Sequence, residues 1–180
     1  GTASGSPITS IVNTAGIGGI AAGISLGADQ AAVGDVVVLS GAIGLHGVAI
    51  MSVREGLDFE VEIESDTQGL AGLVAAVLAV APDAHVLRDP TRGGLSSALN
   101  EIAAASGVGI TLDEPSVPIP GPVRAACEML GLDPLHVANE GKLLACVARE
   151  GGDATLPDLD RGRRADAGAY AGRRGRGAAG

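Results

Sequence analysis

Phe59 and Tyr170 are the only aromatic side chains in the 180 residues, and tryptophan is absent. A chain with that inventory has to build its interior from alanine, valine, leucine and isoleucine. The 46 % apolar content is enough for one sizeable core. Each large aliphatic side chain removed from water contributes roughly 1.5–3 kcal/mol. The same shortage of rings removes the platforms on which single-stranded nucleic acids stack.

The formal charge of −9 is unevenly spread. Through residue 150 the strong bases are Arg54, Arg88, Arg92, Arg124, Lys142 and Arg149. Arg161, Arg163, Arg164, Arg173, Arg174 and Arg176 crowd the end of the chain. The body is therefore acidic, which disfavours DNA and anionic membranes as partners. A well-solvated surface accounts for the acidity equally well. Cys127 and Cys146 lie in apolar contexts without metal-ligand spacing, so two buried thiols are expected. No secretory leader pattern is present, which makes the cytoplasm the expected compartment. The apolar run around 70–81 is too short for a bilayer and reads as a buried helix.

Strands and helices alternate along the chain. Ile8–Gly19 reads as a strand entering a loop, and Val36–Leu39 as a strand covered on both faces. A helix is expected over Gly44–Glu55, ending at Gly56, and a one-sided strand or arm over Phe59–Ile63. Thr67–Ala81 is the most apolar helix, stopped by Pro82. His85–Arg88 is a short strand, Gly93–Ser106 a helix capped by Gly107, and Val108–Leu112 a further strand. The four prolines of Pro115–Pro122 exclude a central strand there. Pro122–Leu130 is a helix closed by Gly131, Asp133–Glu140 a turn region and Leu143–Ala148 a last strand. The pattern predicts an α/β fold, a mixed sheet layered with helices. Residues 1–10 read as a linker or cloning remnant and 11–150 as the domain. Residues 151–180, rich in Gly, Ala and Arg, are expected to be disordered. Arg–Gly tracts also bind polyanions, and a shifted reading frame gives such a tail equally well.

Three glycine-bearing junctions could carry chemistry. In Arg88-Asp89-Pro90-Thr91-Arg92-Gly93-Gly94-Leu95 a strand passes into a helix, whose free N–H groups and positive dipole end suit a phosphate. A sharp turn capped by Thr91 fits the same residues. Ser40-Gly41-Ala42-Ile43-Gly44-Leu45-His46-Gly47 is a second such junction, where His46 could meet a phosphate or shuttle a proton, or simply pack. In Ala138-Asn139-Glu140-Gly141-Lys142, Asn139 and Glu140 are placed for acid–base work over a strand end. A plain turn with a Glu140–Lys142 surface pair is the alternative. His85 and His136 gain no role, and no metal cluster is apparent.

Taken in order, several of these words resemble the HypE family of hydrogenase expression/formation proteins. They are Asp89-Pro90-Thr91-Arg92-Gly93-Gly94-Leu95, Asn100-Glu101-Ile102-Ala103, Arg54-Glu55-Gly56-Leu57, Gly107-Val108-Gly109-Ile110 and Leu130-Gly131-Leu132-Asp133-Pro134-Leu135. Ala138-Asn139-Glu140-Gly141-Lys142-Leu143 and Asn13-Thr14-Ala15-Gly16-Ile17-Gly18 complete the set, so the likeness runs from about Ile11 to Val147. It implies a sandwich like the C-terminal domain of aminoimidazole ribonucleotide synthetase, shared with selenophosphate synthetase and thiamine-phosphate kinase. It further implies ATP-dependent dehydration of a carbamoyl group on a C-terminal cysteine to a thiocyanate, for the cyanide ligand of NiFe hydrogenases. ATP and Mg2+ would be held mostly by an N-terminal half outside this sequence, so the chain alone is expected to be inactive. The implied partners are carbamoyl-transferring and iron-carrying maturation proteins, with a homodimer in the full-length protein.

By the same resemblance Glu140 is the acid–base group, with Asn139 beside it. Asp89, Thr91, Arg92, Gly93 and Gly94 line the phosphate side, with Gly44 and His46 across from them. Three features depart from the pattern: the nucleotide half, the terminal Pro-Arg-Ile-Cys, and an aspartate where Leu45 stands. Another ATP-dependent synthetase or kinase of the superfamily, or a non-catalytic docking module for maturation partners, remains as an alternative.

Overall fold

The computed structural model describes residues 15, 17, 19–20, 22–56, 63–149 and 170–172. Four consecutive branched or long aliphatic residues make β1 (Val36–Leu39), every one of them buried. The helix α1 (Leu45–Glu55) follows, and its closing Gly56 takes the left-handed conformation that side-chain-bearing residues avoid. Next come α2 (Ala71–Val80), β2 (Val86–Arg88), α3 (Gly94–Ser106), α4 (Gly121–Leu130) and β3 (Leu144–Val147). Short 3-10 turns occupy Glu114–Ser116 and Pro134–His136. A last strand, β4 (Tyr170–Gly172), lies against β1.

The sheet order is β2-β3-β1-β4. Val36 pairs Val147 and Leu39 pairs Leu144, while Val86 pairs Cys146. Every described pairing is antiparallel, where a mixed sheet was expected. Side chains alternate across it, so β1 serves two cores at once. Val37 and Leu39 join Val86, Leu144, Cys146 and the α3 residues Leu95, Leu99 and Ile102 on one face. Val36 and Val38 join Ala145, Val147 and the α2 residue Val77 on the other. A third cluster, Val48, Val123, Ala126, Cys127 and Val137, sits between α1 and α4. The layered sheet read from the sequence is present, and the core is aliphatic.

Differences from the expected elements have local causes. Helix α2 starts at Ala71 rather than Thr67, because Thr67 and Gln68 are occupied with His46 and Gly141. Val108–Leu112 is not a strand: Val108, Ile110 and Leu112 pack on the first core, but the segment finds no ladder partner among the described residues. Thr91 does not cap α3, whose N-terminal flank is Gly93 in the left-handed region with no side-chain cap bond. Tyr170–Gly172 is a strand within the tail expected to be disordered, since the β1 edge offers it unpaired backbone groups. The rest of that tail, most of Ile8–Gly19, and residues 59–62 of the expected arm lie outside the described residues. Both cysteines are buried, and neither is in a disulfide. No helix among the described residues is long and apolar enough to cross a membrane.

Candidate functional site

Asn139 is 2 % exposed, and its amide joins the three glycine junctions. Its Oδ1 accepts the Gly44 N–H at 2.7 Å. Its Nδ2 donates to the Pro90 and Val137 carbonyls at 3.2 and 2.9 Å, and its own backbone N–H donates to Pro90 O at 3.3 Å. One side chain thus binds the entry to α1 and the turn before α3 to the segment that feeds β3. Only an amide can do this, because the site needs an acceptor and a two-hydrogen donor on one planar group.

Glycines allow the approach. The Gly47 N–H donates to Ala138 O at 3.1 Å, and a Cβ at Gly47 would collide with Val137 and Ala138. A Cβ at Gly94 would run into the carbonyls of Leu135 and Val137. Both helix starts therefore abut the 135–139 segment directly. Gly44, at φ 88°, adopts a turn that other residues resist.

Around this joint the remaining residues of the site divide. Glu140 is half-buried, and none of the described residues bonds its carboxylate. Asp89 and Arg92 are exposed, with Thr91 and Gly93 half-buried beside them. His46, in the first turn of α1, has Nδ1 at 2.8 Å from Ser65 Oγ and 3.2 Å from Thr67 Oγ1. A cleft of about 300 Å³ opens beside His46, walled by Arg54, Asp133 and His136 with apolar Ile50 and Met51. None of Asp89, Thr91, Arg92 or Glu140 contributes to that wall.

Two residues were not singled out from the sequence. Lys142 is 2 % exposed and forms an ion pair with Asp66, in place of a surface pair with Glu140. A lysine two residues past a turn gives no sign of burial, since lysine is seldom buried without a partner and Asp66 is far off in sequence. The apolar run Leu143–Val147 that follows was the available hint.

Comparisons with known proteins agree with one another. A family model described as AIR synthase related protein, C-terminal domain, matches residues 32–167. The carbamoyl dehydratase HypE of Azotobacter vinelandii is 57 % identical over 145 residues, 81 % of this chain and 42 % of that protein. Among solved structures, a HypE-HypF complex aligns at TM-score 0.75 and 40 % identity, over 82 % of this chain and 49 % of the other. A hydrogenase maturation protein HypE in complex with ATP aligns at 0.72 and 42 %, over 82 % and 45 % respectively. The chain spans less than half the length of the curated relatives it matches.

Proposed function

The chain belongs to the family of AIR synthase related protein C-terminal domains, and on that premise we propose that it is the closing half of a HypE-type carbamoyl dehydratase. The observation that carries this reading is the Asn139 joint, which draws the Gly44, Pro90 and Glu140 turns into one neighbourhood. A relative solved with ATP supports the nucleotide as the co-substrate.

The chemistry converts R–S–C(=O)–NH2 to R–S–C≡N. ATP transfers its γ-phosphoryl group to the carbamoyl oxygen, the nitrogen gives up one proton, and ADP leaves. Loss of the second N–H proton, with cleavage of the C–O bond, yields the nitrile and inorganic phosphate. The half-buried carboxylate of Glu140 is suited to take a proton from that nitrogen. The exposed Arg92, at the start of α3, is suited to the phosphoryl oxygens, since a guanidinium and a helix start both favour negative charge, while Gly94, its N–H taken by Thr91 O, seats that helix start against the 135–139 segment. Asn139 acts by holding these groups in register, since its polar atoms are already engaged. No group of three or more His, Cys, Asp or Glu among the described residues could hold a metal ion, so the Mg2+ that accompanies ATP would be held by the nucleotide-binding half.

In the full-length protein this domain works in a cytoplasmic homodimer with carbamoyl-transferring and iron-carrying maturation proteins, without nucleic acid or membrane. A relative solved together with HypF supports the partnership. Phosphate release from ATP tests the reading. The chain alone is expected to release none, and the chain combined with the nucleotide-binding half of a HypE relative and an S-carbamoyl-cysteine peptide is expected to turn over. Steady ATP hydrolysis by this chain by itself would contradict it.

A further inference from the structure

We infer that Lys142 is a positioning residue: by holding Asp66 it fixes the 65–68 segment, whose hydroxyls set the orientation of the His46 ring. That the ring faces a nucleotide rests on the function proposed above; the positioning itself rests on contacts in this chain.

The segment is tied at one end to the last turn before β3. Lys142 Nζ pairs with Asp66 Oδ2 in a site where the lysine is 2 % and the aspartate 23 % exposed. An ammonium so removed from water is tolerated only with its counter-charge in place, so the pair dictates where residue 66 lies. Gln68 Nε2 donates to Gly141 O at 3.1 Å. Gly141 permits the approach, since a Cβ there would meet the backbones of Asp66 and Gln68.

The same segment holds the histidine. Ser65 Oγ and Thr67 Oγ1 bond each other at 2.8 Å, and both reach His46 Nδ1. Residues 65 and 67 flank the one that Lys142 grips, so displacing Asp66 displaces the backbone that carries both hydroxyls. With Nδ1 engaged, Nε2 is the nitrogen left for a ligand, and the tautomer of the ring follows from the hydroxyl network. Lys142 therefore acts on His46 without touching it.

The test is nitrogen NMR of the histidine rings in the 180-residue chain, at about pH 8 where an ordinary imidazole is neutral. In the parent chain His46 is expected to show one dominant tautomer with a hydrogen-bonded Nδ1. In Lys142→Met its two nitrogens should shift toward the averaged values of a free imidazole. His85, held at 3.0 Å by the buried Asp35, reports whether the fold is intact and should not change. Asp66→Asn keeps the shape and loses the charge, and should move His46 the same way; it decides the matter if Lys142→Met fails to fold. Lys142→Arg, which retains the charge, should restore part of the parent spectrum. A His46 spectrum unaltered in either folded variant would overturn the inference, whatever the chain's behaviour toward ATP.

Discussion

At the scale of single residues, the site is held by Asn139, whose side-chain oxygen and nitrogen are both engaged. Removing the Asn139 amide strands the buried Gly44 N–H and withdraws a donor from Pro90 O. Asn139→Ala is expected to cost about 2–4 kcal/mol, read as a lowered urea midpoint. Asn139→Asp should be no better, since a carboxylate cannot donate to Pro90 and Val137 and is charged in a buried place. Cys127 gives a pH dependence. Burial pushes its thiol pKa up, and the nearby Asp133 carboxylate adds to the rise. A thiol raised in the native state contributes stability below the ordinary value of about 8.5, and that contribution is lost as pH climbs through the raised value. The urea midpoint should therefore fall on the alkaline side in the parent chain and fall less in Cys127→Ala; equal slopes would contradict the assignment. Asn139 and Glu140 stood out in the sequence through the family resemblance, since the residues alone fitted a plain turn at a strand end equally well. Their division into a buried clamp and a half-buried acid depends on contacts some 50 and 95 positions away in the chain, which spacing cannot reveal.

At the scale of elements, backbone approach decides which glycines matter. On α1, a methyl group at Gly47 would meet Val137 and Ala138. Gly47→Ala is expected to cost about 1–3 kcal/mol, lowering Tm while helical circular dichroism is retained. On α2, nothing lies within contact distance of a Cβ at Gly72. Gly72→Ala should stabilise by about 0.5–1 kcal/mol, because alanine loses less freedom in a helix. Helix ends were legible since Gly56, Gly107 and Gly131 each supply a left-handed closing residue after an apolar period. The Val108–Leu112 segment was misread for the converse reason: a strand is defined by its neighbour, and alternating side chains pack equally well on a core without one. Pairing direction was equally hidden, because an apolar run such as Val36–Leu39 shows that both faces are covered but not which way the adjacent strand runs.

At the scale of the molecule, an aliphatic sheet with α3 on one face and α2 on the other presents its glycine turns to the joint at Asn139. The scarcity of aromatics foretold the kind of core, and the order of motif words foretold the family. Neither could show how the turns are fastened, which is a matter of hydrogen bonds between segments far apart in sequence. In the function proposed above, this fastening sets Glu140 beside the reacting carbamoyl nitrogen. The direct measurement is thiocyanate formation from an S-carbamoyl-cysteine peptide and ATP, by this chain combined with a HypE nucleotide-binding half, comparing Glu140 with Glu140→Gln. The rate is expected to fall about 10²–10⁴-fold with ATP affinity unchanged, the usual worth of a positioned acid–base group. Thiocyanate formed by Glu140→Gln at the parent rate would contradict it.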